Sequence, residues 1–421
     1  MRPGALTGLR QAWAGLSWLE KVALLFSPVS IGFVLQDQWA FFHGGLSRGQ
    51  VVGRDFINYW TGSKLMLGGR ISEVFSQEAY MSALHRIWGA GVGLHSFSYP
   101  PSIFPYVGWT GLLPYPLALA LWWLAGLALV WIALWPHGRR RLTAAAVLLS
   151  PAVMVCLDTG QNGMLTAALL VGGLRLVDRR PLLAGALIGL ASFKPHLGLL
   201  IPVALIAAGR WKVVWSAAAS ALALAAAGTL IAGPQAWRDY LTHAAPFQRH
   251  LLEHSTGLFQ YMMPSPFMAG RLMGLNLGLS YAIQVAAALV CLGLIAFHFF
   301  RMRAAGRGFG APDGLLLTIC GFIASPYGFN YDMVSIVLWL VVISRAYPTL
   351  DQSPAWRWAV VSLWTAPILM LVVTAALAQR GLTALPVGGA LLVIGLVLTW
   401  RVCVHQQDSV DLASNETFTA R

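Results

Sequence analysis

Apolar runs recur along almost the whole chain, and they constrain its fold more than any single motif. A helix needs about 20 apolar residues to cross a bilayer. Because 57% of the residues are hydrophobic, only 10% are charged and the mean hydropathy is +0.67, we predict an all-α, polytopic integral membrane protein with about 12 transmembrane helices. The runs lie at about 19–36, 115–135, 143–157, 163–177, 181–193, 196–209, 213–232, 279–300, 314–325, 331–345, 356–377 and 386–404.

The loops between these runs are of two kinds that alternate along the chain. One kind is basic, and the positive-inside rule places it in the cytoplasm. The polar loops then face the outside, and both termini are cytoplasmic. We expect the proline-rich segment 98–113 to be re-entrant or to lie at the outer surface, because one more crossing would invert every later loop. The basic loops contain Arg139, Arg140, Arg141, Arg175, Arg179, Arg180, Arg210, Lys212, Arg301, Arg303, Arg307, Arg345, Arg357 and Arg401.

This topology predicts one membrane-embedded domain, residues 1–404, in the plasma (inner) membrane, with an uncleaved first helix. Two large outer loops cover residues 37–97 and 233–278. In the first of them, residues 61–90 are expected to form one or two amphipathic helices at the membrane interface, just after Asp55. Residues 405–421 are predicted to be a polar, disordered, cytoplasmic tail.

Several classes of protein have no support in the sequence. The net charge of +13 is explained by membrane orientation, and no basic stripe indicates nucleic-acid binding. No glycine-rich loop could bind a nucleotide. The HLLEH run, with His250, Glu253 and His254, has the spacing of an inverted zinc-protease motif but lacks a third ligand on the same side. The cysteines lie singly in apolar runs: Cys156, Cys291, Cys320 and Cys403.

The polar loops contain short motifs in a fixed order, spread over residues 37–345. The motifs are Asp55 with Tyr59 and Trp60, Tyr99-Pro100-Pro101, Gly160-Gln161-Asn162, Phe193-Lys194-Pro195-His196, and SPYGFNYD at 325–332. Together they resemble glycosyltransferase family 87, a polyprenol-phosphate-dependent, mannosyltransferase-like group of the GT-C class. The resemblance implies a GT-C-like enzyme that transfers mannose, another hexose or a pentose from a polyprenyl-phosphate-linked donor to a lipid or glycan acceptor at the outer face.

The resemblance also implies roles for individual residues. The acidic residue of the first outer loop falls on Asp55, which is the implied general base of an inverting transfer that needs no metal or other cofactor. The implied contacts to the sugar or acceptor are Tyr59, Trp60, Tyr99, Gln161, Asn162, Asn330, Tyr331 and Asp332. The donor phosphate would receive charge-assisted hydrogen bonds from Lys194, His196, Arg54, Lys64, His250 and His254.

A structural alternative stands beside each of these roles. Asp55 could cap the helix that follows it, and Gln161 and Asn162 could cap the helix at 163. Lys194 could extend to the lipid headgroups from a helix end, and His196 could be an interface histidine. Asp332 could simply mark where a helix leaves the lipid. For the whole protein, a transporter or flippase of a lipid-linked sugar is the alternative function, although transporters usually show two corresponding halves with polar groups near the midplane.

Overall fold

The regular structure of the protein is entirely helical in the residues that the computed structural model describes, 11–44, 51–135, 141–381 and 385–419. This confirms the predicted all-α class. The helices, in chain order, are α1 (Trp18–Gly44), α2 (Phe56–Leu67), α3 (Ile71–Phe75), α4 (Gln77–Trp88), α5 (Phe104–Val107), α6 (Tyr115–Leu134), α7 (Arg141–Leu148), α8 (Pro151–Thr159), α9 (Gly163–Leu174), α10 (Pro181–Leu190), α11 (Ile201–Ala207), α12 (Trp211–Ala232), α13 (Gln235–Asp239), α14 (Ala245–His254), α15 (Leu258–Tyr261), α16 (Pro266–Leu272), α17 (Leu277–Ala304), α18 (Ala311–Ala324), α19 (Val334–Ala346), α20 (Pro354–Gln379) and α21 (Val387–Thr419).

Five of the described helices are long and apolar enough to cross a membrane on their own: α1, α6, α12, α17 and α20. The count becomes six if the pair α7 and α8, which meet at 51°, forms one bent span. The remaining predicted runs fold as shorter helices or, at Val387–Cys403, as the apolar part of α21, and the predicted number of about 12 is therefore not confirmed. Prolines and glycines shorten them: Gly160 ends α8 in a left-handed conformation, and Pro181 begins α10.

The first outer loop is more deeply packed than the sequence predicts. It forms three helices, α2 to α4, where one or two interfacial helices are expected. Helix α2 buries residues on most of its circumference, including Phe56, Tyr59 and Leu65, which is typical of a helix enclosed by protein rather than one lying on a surface. Helix α4 is the amphipathic one, with Tyr80 buried and Ile87 exposed.

Residues 98–113 fold as a series of short turns beneath α2. A 3₁₀ turn at Pro101–Ile103, helix α5 and a second 3₁₀ turn at Gly108–Leu112 follow one another. A Cβ at Gly111 would lie 2.8 Å from the backbone nitrogen of Lys64, so the close approach of this segment to α2 depends on glycine. No helix in this segment is long enough to cross a bilayer.

The second outer loop consists of short helices that cover one end of the bundle. A π-helical turn, Tyr240–Ala244, joins α13 to α14, and α15 and α16 follow. At the other end of the chain, α21 continues through residues 405–419, whose backbone is helical where the sequence predicts disorder. The cytoplasmic location of that segment stays a prediction.

Candidate active site

A cavity of about 550 Å³ lies between the first outer loop, the ends of the core helices and the second outer loop. Its polar wall comes from α2, the segment before Pro100, and the GQN and FKPH motifs. Its apolar wall comes from α14, α15 and the residues that follow, with Leu251, Phe259 and Met262. The predicted site residues that line it are Asp55, Tyr99, Gln161, Lys194, His196, His254 and Tyr331.

Asp55 stands at the N-cap position of α2, but its side chain makes no capping hydrogen bond. Its Oδ2 instead accepts a hydrogen bond of 2.9 Å from Gln161 Nε2. The Asp55 backbone N–H donates to the Thr159 carbonyl at 3.0 Å, which ties the first outer loop to the end of α8. Gln161 therefore holds one oxygen of the carboxylate, and the side chain still lines the cavity.

Gly160 makes this contact between the two segments possible. Its φ of +66° is in the left-handed region that favours glycine. A Cβ at this position would lie 2.6 Å from Phe56 Cβ and 2.9 Å from the Gly53 carbonyl oxygen. Any side chain here would separate Asp55 from Gln161.

Two tyrosines orient the amide that holds Asp55. Gln161 Oε1 accepts hydrogen bonds from the hydroxyls of Tyr59, at 2.8 Å, and Tyr99, at 3.0 Å. Burial raises the pKa of both phenols well above the usual range, and the Asp55 charge raises each further, so both stay protonated. With its oxygen fixed by these donors, the amide must present its NH₂ to Asp55.

Lys194 lines the same cavity as Asp55, and only 4% of its side chain is exposed. Its Nζ donates to Asp332 Oδ1 at 2.6 Å and to Asn162 Oδ1 at 3.0 Å. It also lies 4.9 Å from the centre of the Tyr331 ring. The alternative in which Lys194 extends to the lipid headgroups is thus wrong. An ammonium group has three donors, and these contacts among the described residues leave one for a ligand.

This arrangement coincides with a match to a known family. A family model described as glycosyltransferase family 87 matches residues 97–326, which is more than half of the 421 residues. The chain belongs to glycosyltransferase family 87. The matched region includes Tyr99, Gln161 and Lys194, whereas Asp55 precedes it. No curated protein and no solved structure matches the chain.

Family 87 membership makes the protein a glycosyltransferase.

The predicted phosphate ligands fall into two groups in the structure, those that line the cavity and those that lie outside it. Lys194, His196 and His254 line the cavity, and His196 Nε2 is buried without a partner among the described residues. His250 is exposed outside the cavity and stacks on His254 at 4.4 Å. Lys64 is also exposed outside it, 5.2 Å from the Trp60 ring.

Arg54 does not reach the cavity either. Its guanidinium forms an ion pair with Asp37, and its Nε lies 3.8 Å from Asp158 Oδ2. The prediction that it binds the donor phosphate therefore has no geometric support, because two carboxylates already surround its charge. Its backbone φ of +29° is unusual for a residue with a side chain, and these ion pairs hold it beside Asp55.

The predicted sugar contacts also divide between the cavity wall and its support. Tyr59 and Asp332 lie behind the wall and act on Gln161 and Lys194. Asn162 occupies the N-cap position of α9 without capping it and accepts from Lys194 instead. Trp60 donates to the Leu113 carbonyl at 2.9 Å, and Asn330 to the Pro367 carbonyl at 3.0 Å, so both join segments of the fold outside the cavity.

The wall also contains polar residues to which the sequence assigns no role in the site, above all Asn58 and His95. Asn58 lies one turn after Asp55, and His95 lies four residues before Tyr99, so proximity to predicted residues was the available signal. A smaller apolar cavity of about 140 Å³ adjoins Gln161 and Asn162. Its other walls include the aromatic side chains of Trp109 and Trp122.

The HLLEH motif does not form a metal centre in the structure. His254 Nδ1 is 3.0 Å from the His250 carbonyl, and Glu253 accepts from Arg249 and Tyr281. Across the described ranges, no group of three or more histidine, cysteine, aspartate or glutamate side chains could hold a metal ion.

Proposed function

We propose that this glycosyltransferase uses a polyprenyl-phosphate-linked sugar as donor and transfers the sugar, with inversion, to a lipid or glycan acceptor at the outer face of the membrane. The observation that carries the proposal is the Asp55 carboxylate, held by Gln161 at the wall of a cavity that Lys194 also lines. A base and a phosphate ligand are the two groups that such a transfer requires.

The proposed reaction is a single displacement at the anomeric carbon. An acceptor hydroxyl gives its proton to Asp55 as its oxygen attacks this carbon. The bond from the anomeric carbon to the phosphate oxygen breaks, and the phosphate leaves with the electron pair. No acid is needed to protonate the leaving group, in contrast to glycoside hydrolysis, where an alkoxide leaves.

The remaining N–H of Lys194 is the proposed ligand of the leaving phosphate. A charge-assisted hydrogen bond strengthens as negative charge accumulates on that oxygen. His196, with its unpartnered Nε2, and His254 line the same cavity and are the further candidates. Asp332 Oδ1 lies 2.6 Å from Lys194 Nζ and fixes its position.

The smaller apolar cavity supports a prenyl-linked donor. It is bounded by Tyr106, Trp109, Trp122 and Leu129, and Gln161 belongs to both cavities. A donor with its sugar in the larger cavity would therefore have an apolar cavity beside it. The positive-inside rule places this end of the bundle outside, in agreement with the proposed sidedness.

Transfer from a panel of radiolabelled polyprenyl-phosphate sugars, in proteoliposomes, tests this function. Asp55→Asn keeps the size of the side chain and removes the base, so we expect transfer to fall about 100-fold or more. Asp239→Asn is the control, because Asp239 is another aspartate of an outer loop but lies outside the cavity wall. Movement of the lipid between leaflets without any transfer would instead indicate a transporter.

A further inference from the structure

His95 lies in the wall of the larger cavity and has no role in the transfer described above. It belongs to the extended segment between α4 and Tyr99, and α4 fixes its backbone. Gln77 Nε2 donates to the His95 carbonyl at 2.8 Å, and the His95 N–H donates to Met81 Sδ at 3.4 Å. The imidazole is therefore held on a constrained backbone rather than on a free loop.

A chain of hydrogen bonds defines which ring nitrogen of His95 carries the proton. His95 Nδ1 is 3.3 Å from Asn58 Nδ2, and an amide NH₂ can only donate. Asn58 Oδ1 lies 3.1 Å from the Tyr80 hydroxyl, which donates to it. Burial raises the Tyr80 pKa well above its usual value, so this hydroxyl keeps its proton. Nδ1 is thus an acceptor, and the neutral ring carries its proton on Nε2.

The neutral ring is the favoured form. Burial lowers the pKa of His95 below its ordinary value, although the nearby Asp55 charge raises it in part. A neutral imidazole protonated on Nε2 offers a hydrogen-bond donor at that nitrogen and has no free lone pair to accept a proton, because Nδ1 is engaged by Asn58. His95 therefore complements Asp55, which can only accept.

His95 and Asp55 are linked through Asn58. Asn58, the partner of His95, lies one turn after Asp55, and its backbone N–H donates to the Asp55 backbone carbonyl at 3.0 Å. Residues three apart on a helix lie on the same side, and both of these line the cavity. The Asp55 charge also acts on the His95 ring, which agrees with two neighbouring groups in one cavity wall.

We propose that His95 is a substrate-positioning residue whose Nε2–H donates to the acceptor hydroxyl next to the attacking one, so that the attacking hydroxyl is directed to Asp55. This inference rests on the proposed function. It requires an acceptor with two adjacent hydroxyls, and it assigns the recognition of the second one to His95.

The test combines variants of His95 with deoxy acceptors. The probes are n-octyl mannoside, its monodeoxy analogues and n-octanol, with the donor that the wild-type protein uses. His95→Gln retains an N–H near the position of Nε2, whereas the shorter His95→Asn does not. We expect the wild type to lose about tenfold in kcat/KM on one deoxy analogue, as for a single lost hydrogen bond. In His95→Asn this difference should vanish, with a higher acceptor KM and an unchanged donor KM, and His95→Gln should retain part of it.

His85→Gln is the matched control, since His85 lies on α4, contacts the Val92 carbonyl and is outside the cavity wall. It should behave as the wild type. Equal deoxy penalties in the wild type and His95→Asn would overturn the inference and leave the proposed function standing. Transfer to octanol as good as to octyl mannoside would also overturn it. A wild-type protein that transfers to nothing from any donor would overturn both.

Discussion

Two buried carboxylates of this protein, Asp313 and Asp332, have similar burial but opposite patterns of hydrogen bonding. Asp313 accepts from His298, from both terminal nitrogens of Arg307 and from the Gly310 N–H, at 2.7–3.0 Å. Asp332 pairs with Lys194, which keeps one donor unused among the described residues and lines a cavity.

The difference separates a structural ion pair from one available to a ligand. A buried polar group without a partner is costly, so unused hydrogen-bonding capacity at the surface of a cavity is available to water or to a ligand. At Asp313 the protein supplies every partner, and the group only joins α17, α18 and the loop between them. Burial and charge alone do not distinguish the two carboxylates.

The largest expected effect follows from removing one member of the Lys194 pair. Lys194→Met leaves Asp332 buried without a counter-charge, so we expect the free energy of unfolding to fall by about 3–5 kcal/mol and sugar transfer to be lost. Thermal unfolding in detergent, followed by tryptophan fluorescence, measures the first effect. An unchanged stability would contradict the description of this pair as buried and coupled.

The double variant Lys194→Met with Asp332→Asn sharpens the comparison, because it removes both charges together. We expect most of the lost stability to return. Transfer should stay about 100-fold below wild type, since the phosphate ligand is still missing. Recovered transfer in the double variant would show that Lys194 only neutralises Asp332.

Asp313→Asn changes the other carboxylate and should have the reverse outcome. The amide cannot accept all four hydrogen bonds, so we expect a loss of about 1–3 kcal/mol in stability. Transfer per folded molecule should equal that of the wild type, measured at a temperature where both are folded. A fall in transfer would mean that the two ends of the bundle are coupled.

Gln161→Leu should have the smallest effect. It replaces the amide that holds Asp55 with an apolar side chain of similar size. We therefore expect transfer to fall about tenfold, as for the loss of a hydrogen bond to a charged group. Gln235→Leu is the matched control on the second outer loop, because Gln235 contacts Asp239 outside the cavity. Equal rates for Gln161→Leu and wild type would show that Asp55 needs no orientation by Gln161.

The sequence contained the identity of the main cavity residues but not their pairing. Asp55, Gln161 and Lys194 stood out because they lie in the polar loops, within the motifs that resemble family 87. Nothing local indicated that Lys194 pairs with Asp332, 138 positions later, or that Arg54 would face Asp37 instead of a phosphate. Nothing in the sequence singled out His95, because its contact with Asn58 forms only in the fold and a single histidine carries no pattern.

For the helices too, the sequence indicated which segments fold but not how they contact one another. Apolar runs predicted where helices occur, and the all-α class followed directly. Their lengths depend on where proline and glycine interrupt the backbone, as at Gly160, and the burial of α2 depends on a distant glycine, Gly111. Hydropathy gives no information on either.

The contact at Gly160 has a consequence for the engineering of this enzyme. The proposed base, Asp55, lies before the region that the family 87 model matches, and the amide that holds it lies within that region. A chimera that takes its first outer loop from one family member and the rest from another should therefore keep a glycine at position 160, because a Cβ there would meet Phe56 and the Gly53 carbonyl oxygen.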